Sequence, residues 1–106
     1  MKQRIIWMVV LLFASLALSA QVKFMEQPAW SDVLTKAKAE QKFIFVDCYT
    51  TWCGWCKIMD KTTFKNPVVT DYMDHNFVSA RYEMETGFGC NLAMKFNGTS
   101  FPTYLV

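Results

Sequence analysis

The chain opens with a block of apolar positions and turns periodic only later. Ile5 to Leu18 is an almost unbroken apolar run. Lys2 and Arg4 precede it, and the small residues Ala17, Ser19 and Ala20 close it. That basic, apolar, small-residue order predicts a secretory signal peptide over residues 1–20, cut after Ser19 or Ala20. The run falls short of the roughly 20 residues of a membrane span. Retention as an uncleaved anchor is the rival reading. Residues 21–29 read as an extended lead-in that ends near Pro28. Trp30, Val33, Leu34 and Ala37 then recur at i, i+3, i+4 and i+7, the period of an amphipathic helix. Ser31 is its expected N-cap, with Asp32 in the first turn. Lys42 to Cys48 is apolar without clean alternation, which predicts a strand buried on both faces, as in a central parallel sheet. Asp47 is the anomaly in it.

Tyr49 to Trp52 reads as a loop, and a helix is expected from about Cys53, with Ile58, Met59 and Phe64 on its apolar side. Asn66-Pro67 interrupts the pattern, because the residue before a proline disfavours helix. A second helical stretch follows, with Val68, Val69, Tyr72 and Met73 on one face. Phe77 to Tyr82 reads as a strand, Gly87 and Gly89 mark a loop, and Asn91 to Phe96 is helical. Asn97-Gly98 is a stop, and Thr103 to Val106 begins another strand. Helix and strand thus alternate, which argues for an α/β sandwich around a central sheet. There is no internal repeat and no linker. The organisation expected is a leader, 1–20, and one small domain, 21–106.

Charge narrows the partners. The chain has 11 Lys and Arg and nine Asp and Glu. Two of the cations, Lys2 and Arg4, lie in the leader, so the remainder is formally neutral. Nothing resembles a nucleic-acid footprint or a polybasic membrane patch. Membrane contact is expected only if the leader is retained. Partners must be met through shape and chemistry. Three of the four cysteines, Cys48, Cys53 and Cys56, crowd together, and Cys90 stands apart. A stapled scaffold spreads its cysteines; this crowding marks a site.

Cys53-Gly54-Trp55-Cys56 at a strand-to-helix junction is a redox spacing. Two intervening residues at a helix start let the sulfurs meet. The first sulfur then faces unpaired N–H groups and the positive end of the helix dipole, both of which favour an anion. Such a thiol drops from about 8.5 into the range of roughly 3.5–7.5. Cys53 is therefore the expected exposed attacking thiolate, and Cys56, one turn in, the shielded resolving thiol. A structural disulfide is one bland alternative. Half of a zinc site is another, and it would need Cys48 or Cys90 to converge on the pair. Trp52 and Trp55, flanking the first thiol, are expected to form an apolar rim that a substrate meets.

With these residues in place, the sequence resembles the thioredoxin superfamily over nearly all of 21–106. It looks most like secreted bacterial thioredoxin-related proteins with a Cys-Gly-Trp-Cys motif. The resemblance is carried by Phe43 to Asp47, by Trp52-Cys53-Gly54-Trp55-Cys56-Lys57, and by Phe101-Pro102-Thr103. It implies a three-layer sandwich, a central mixed sheet flanked by helices, from which the last strand and helix are missing in this chain. It implies that Asp47, six residues before Cys53, is a buried acid that takes the Cys56 proton. It implies that Pro102 is cis, and that Phe101 offers main-chain groups to an extended substrate beside Gly54 and Thr103. Trp55 stands where cytosolic thioredoxins commonly have proline, which leaves the direction of electron flow open.

The function expected is dithiol–disulfide exchange with protein thiols and disulfides, and with a further redox partner, in a periplasmic or secreted setting. No metal or organic cofactor is expected. A non-enzymatic binding module on the same surface is the rival, as is a membrane-tethered version of the same enzyme. Lys57 is read as solvated, Cys48 as an inert buried thiol, and His75 as structural. Glu83 and Glu85 are read as solvent-facing. A Cys48–Cys90 bond has little support, and the Asn97-Gly98-Thr99 sequon is given no weight.

Overall fold

A computed structural model describes residues 1–14, 20–97 and 100–106. Among these residues four strands form one mixed sheet: β1 (Phe24–Glu26), β2 (Phe43–Tyr49), β3 (Phe77–Glu83) and β4 (Thr103–Leu105). Their order is β1-β3-β2-β4. β3 runs parallel to both β1 and β2, and β4 lies antiparallel to β2. The helices are α1 (Lys2–Ala14), α2 (Trp30–Glu40), α3 (Gly54–Lys61), α4 (Pro67–Asn76) and α5 (Gly87–Phe96), with a 3-10 turn at Thr63–Lys65. Ala17 and Ser19 of the expected cleavage region lie outside the described residues, as do Gly98 and Thr99 of the sequon.

Alternation along the strands sorts the core into two layers. Val46, Cys48, Val78, Ala80 and Tyr82 face Val33 and Ala37 of α2 and Leu92 of α5. Phe24, Phe45, Phe77 and Tyr104 face Met59, Phe64, Val69 and Met73 on the other side. Phe64 centres that second layer, edge-on to Phe24, Phe45 and Tyr104 at 5.1–6.4 Å. Burying such a ring contributes about 2–3 kcal/mol. The sandwich has the three layers expected.

Several local expectations need correcting. α2 begins at Trp30, and its N-cap is Ala29 rather than Ser31. Trp30 packs on the core and stacks on Phe88, so packing sets the start where the capping signal does not. The lead-in contains β1, which three residues could not announce. α4 is capped by Asn66, whose side chain accepts from the N–H groups of Val68 and Val69, with Pro67 in the first turn. Its inward face is Val69, Thr70 and Met73, while Val68 and Tyr72 are exposed. Gly87 and Gly89 belong to α5 and not to a loop. A Cβ on Gly89 would lie 1.9 Å from the Glu83 carbonyl oxygen, so glycine lets α5 close onto the end of β3.

Candidate active site

β2 delivers the site. Its last residue, Tyr49, runs into the turn Thr50–Trp52, and Cys53 then caps α3. The Cys53 sulfur accepts a hydrogen bond from the Cys56 N–H at 3.1 Å, so it occupies the position that a capping oxygen would take. The two cysteines are joined in a disulfide with their Cα atoms 5.3 Å apart. Cys53 is not the open residue that the sequence led one to expect. Both cysteines are 4% exposed in the disulfide. What separates them is place: Cys53 is the cap facing the free N–H groups, and Cys56 sits inside the first turn.

Trp52 and Trp55 are 66% and 70% exposed. The Trp52 indole N–H donates to the Glu85 carboxylate, and its ring meets Phe101 edge-on at 6.1 Å. Three separate segments therefore meet at Trp52, the residue before Cys53. The Phe101-Pro102 peptide is cis. Pairing of Thr103 with Cys48 sets that loop beside the end of β2. The Thr103 hydroxyl donates to the Ser100 carbonyl at 2.6 Å, tying the loop to itself. Gly54 opens α3, and a Cβ there would meet nothing within 4 Å.

Asp47 is buried, 2% exposed, on the sheet face that α3 and α4 cover. Its Oδ2 accepts from Arg81 Nη2 at 2.8 Å, and its Oδ1 has no partner among the described residues. Burial pushes its carboxyl up to about 6, against the pull of Arg81 and with help from Asp60 and Glu26. Arg81 itself is held above its ordinary value. Burial works against its charge, and the bond to Asp60 and the carboxylates of Asp47, Asp60 and Glu26 outweigh it. Its guanidinium lies between the rings of Phe24 and Tyr49, at 4.7 and 4.9 Å.

Neither Arg81 nor Asp60 was singled out from the sequence. The one available signal was an arginine inside the apolar strand Phe77 to Tyr82. Glu83 also departs from expectation. It is 6% exposed and accepts from the Glu85 N–H and the Thr86 hydroxyl, so it shapes the turn that carries Glu85 to Trp52. Cys48 and Cys90 carry free thiols. Cys48 faces the opposite layer, and burial, then the Asp47 charge, pushes its thiol up to about 11.

Comparison with known proteins agrees with this architecture. The family profile Thioredox_DsbH, described as "Protein of unknown function, DUF255", matches residues 16–87. A Bacteroides thetaiotaomicron protein provisionally described as a disulphide-isomerase has a similar solution structure. It superposes with a TM-score of 0.74 at 39% identity, over 84% of this chain and 73% of that one. A Thermus thermophilus thioredoxin superposes with a TM-score of 0.67 at 23% identity, over 76% of this chain and 62% of that one. Among curated proteins, spermatogenesis-associated protein 20 of Rattus norvegicus is 33% identical over 58 residues, 55% of this chain and 7% of that protein. The thiol:disulfide interchange protein DsbD of Pseudomonas fluorescens is 29% identical over 73 residues, 68% of this chain and 12% of that protein. The matched stretch is thus a small part of these curated relatives.

Proposed function

The chain belongs to the Thioredox_DsbH family, and from that premise we propose that it is an extracytoplasmic thiol–disulfide oxidoreductase acting on protein substrates through Cys53 and Cys56. The observation that carries the reading is the disulfide at the head of α3, with the Cys53 sulfur held on the Cys56 N–H. A sulfur in that place gains most from the helix terminus when it is an anion. The Cys53 thiolate attacks a substrate disulfide. One S–S bond forms between Cys53 and the substrate, and the substrate's own S–S bond breaks. Cys56 then loses its proton to Asp47 and attacks Cys53. The Cys53–Cys56 bond forms, the substrate sulfur leaves as a thiolate, and the substrate has gained two electrons.

Asp47 suits that task because a carboxyl near 6 is a stronger base than one near 4, yet still largely ionised at neutral pH. Its own helix-side neighbour, Asp60, follows Cys56 by one turn on α3, so Cys56 lies on the helix face turned toward Arg81 and Asp47. The exposed Trp52 and Trp55, and the cis Phe101-Pro102 loop, supply an apolar rim and open main chain for an extended polypeptide.

Export is supported by the basic start and apolar run of residues 1–20, and by the similarity to DsbD. Among the described residues no helix is long and apolar enough to cross a membrane. The function is tested by following reduction of a protein disulfide by the full chain in the presence of dithiol. Turnover is expected in the natural protein and not in Cys53→Ser. Equal turnover in both overturns the proposal. Titration against glutathione then gives the potential of the couple, and with it the direction of electron flow.

A further inference from the structure

A row of ionisable side chains crosses the sheet under α3. Strand register aligns Glu26 with Arg81, Arg81 with Asp47, and Asp47 with Tyr104, one residue from each of the four strands. Residues paired in register point to the same face, so the row lies in the layer that α3 covers. Asp60 comes down on it from α3, four residues and one turn beyond Cys56. A single nitrogen, Arg81 Nη2, donates to Asp47 Oδ2 at 2.8 Å and to Asp60 Oδ1 at 2.7 Å. Arg81 Nη1 lies 3.7 Å from Glu26 Oε1. One cation therefore faces three carboxylates, with the rings of Phe24 and Tyr49 packed against it.

We propose that Arg81 and Asp60 are positioning residues for the exchange: Arg81 binds both carboxylates on one nitrogen, and Asp60, by occupying part of that guanidinium, leaves Asp47 able to take the Cys56 proton. The inference rests on the reading of Asp47 as the proton acceptor. An arginine paired with Asp47 alone would hold it as a contented anion and a poor base. Asp60 divides the arginine's attention and adds a negative charge of its own. Both effects raise the proton affinity of Asp47, and the Asp60 charge works with burial in pushing its carboxyl up. The remaining groups facing the row do not compete. Glu26 on β1 is the more distant carboxylate, with a 62% exposed side chain. Tyr49 on β2 and Tyr104 on β4 are both pushed up by burial, Tyr104 to about 12, so their hydroxyls stay neutral at physiological pH. Asp60 has a 34% exposed side chain against 2% for Asp47, so the pair also leads from the buried acid toward solvent.

The test is a carbon-13 NMR titration of the Asp47 carboxyl in the full oxidised chain, paired with stopped-flow decay of the mixed disulfide across pH. Asp60→Asn is expected to lower the Asp47 midpoint by about one pH unit. The pH profile of the resolving step should move with it, and Asp60→Glu should restore both. Because Asn has nearly the shape of Asp and Asp60 is only half-buried, the Asn variant reports on charge without opening the core, and Glu returns the charge. An Asp47 midpoint unmoved in Asp60→Asn overturns the inference. So does slowed resolution with an unmoved midpoint, which would make Asp60 itself the acceptor. Failure of the underlying reading shows separately, as an Asp47→Asn chain that resolves its mixed disulfide at the natural rate.

Discussion

Asp47 has one carboxylate oxygen on Arg81 and the other without a partner among the described residues. Its carboxyl is raised from 3.8 to about 6, with burial as the main cause. The folded state therefore binds this proton more tightly than the unfolded chain does. Its contribution to stability is complete below about pH 4 and is lost as pH rises through about 6. A shift of this size corresponds to about 3 kcal/mol. Asp47→Asn should remove that dependence. Urea unfolding of the oxidised chain at pH 4, 5.5 and 7.5 is expected to show the Asn variant gaining on the natural protein as pH rises. A constant difference across that range would show that Asp47 is no harder to ionise folded than unfolded. Cys48, the next residue, shows how direction alone divides roles. It points into the other layer, and its thiol near 11 is inert at neutral pH.

Among the elements, α3 carries the cysteine pair and α5 closes onto the end of β3 beside it, and they were not equally legible. α3 was announced by its own chemistry, since a Cys-x-x-Cys pair directly after an apolar strand reads as a helix start. α5 was only half read. Two glycines look like a loop in sequence because their usual reason is conformational freedom. Gly87 does use it, with φ at +50°. Gly89 serves a close approach instead, and only the position of the Glu83 carbonyl, set by β3, reveals that. Gly89→Ala would force a methyl group against the Glu83 carbonyl, at a cost of about 1–3 kcal/mol. It should also displace the turn that carries Glu85 to Trp52. Thermal unfolding reads the first effect and Trp52 fluorescence the second. An alanine variant with natural stability and emission would mean that α5 does not need this contact.

At the scale of the whole molecule, the layers, the cis peptide and the buried acid were all legible, because each follows from a local pattern or from motif residues in a known order. The Arg81 cluster was not. It depends on four strands and one helix arriving at a common level, and contacts such as Arg81 with Asp47 join residues far apart in the chain. β1 escaped for the same reason: it is held by pairing with β3 and not by any propensity of Phe24, Met25 and Glu26. Exchange nevertheless turns on a division of labour between two cysteines that are equally buried when joined. That division is tested most directly by trapping. The full chain carrying Cys56→Ser, and separately Cys53→Ser, is reacted with a disulfide-bonded protein substrate and resolved without reductant. Cys56→Ser is predicted to accumulate a stable mixed disulfide through Cys53, and Cys53→Ser none. Equal accumulation by both variants, or accumulation by Cys53→Ser alone, would contradict the assignment of Cys53 as the attacking thiol.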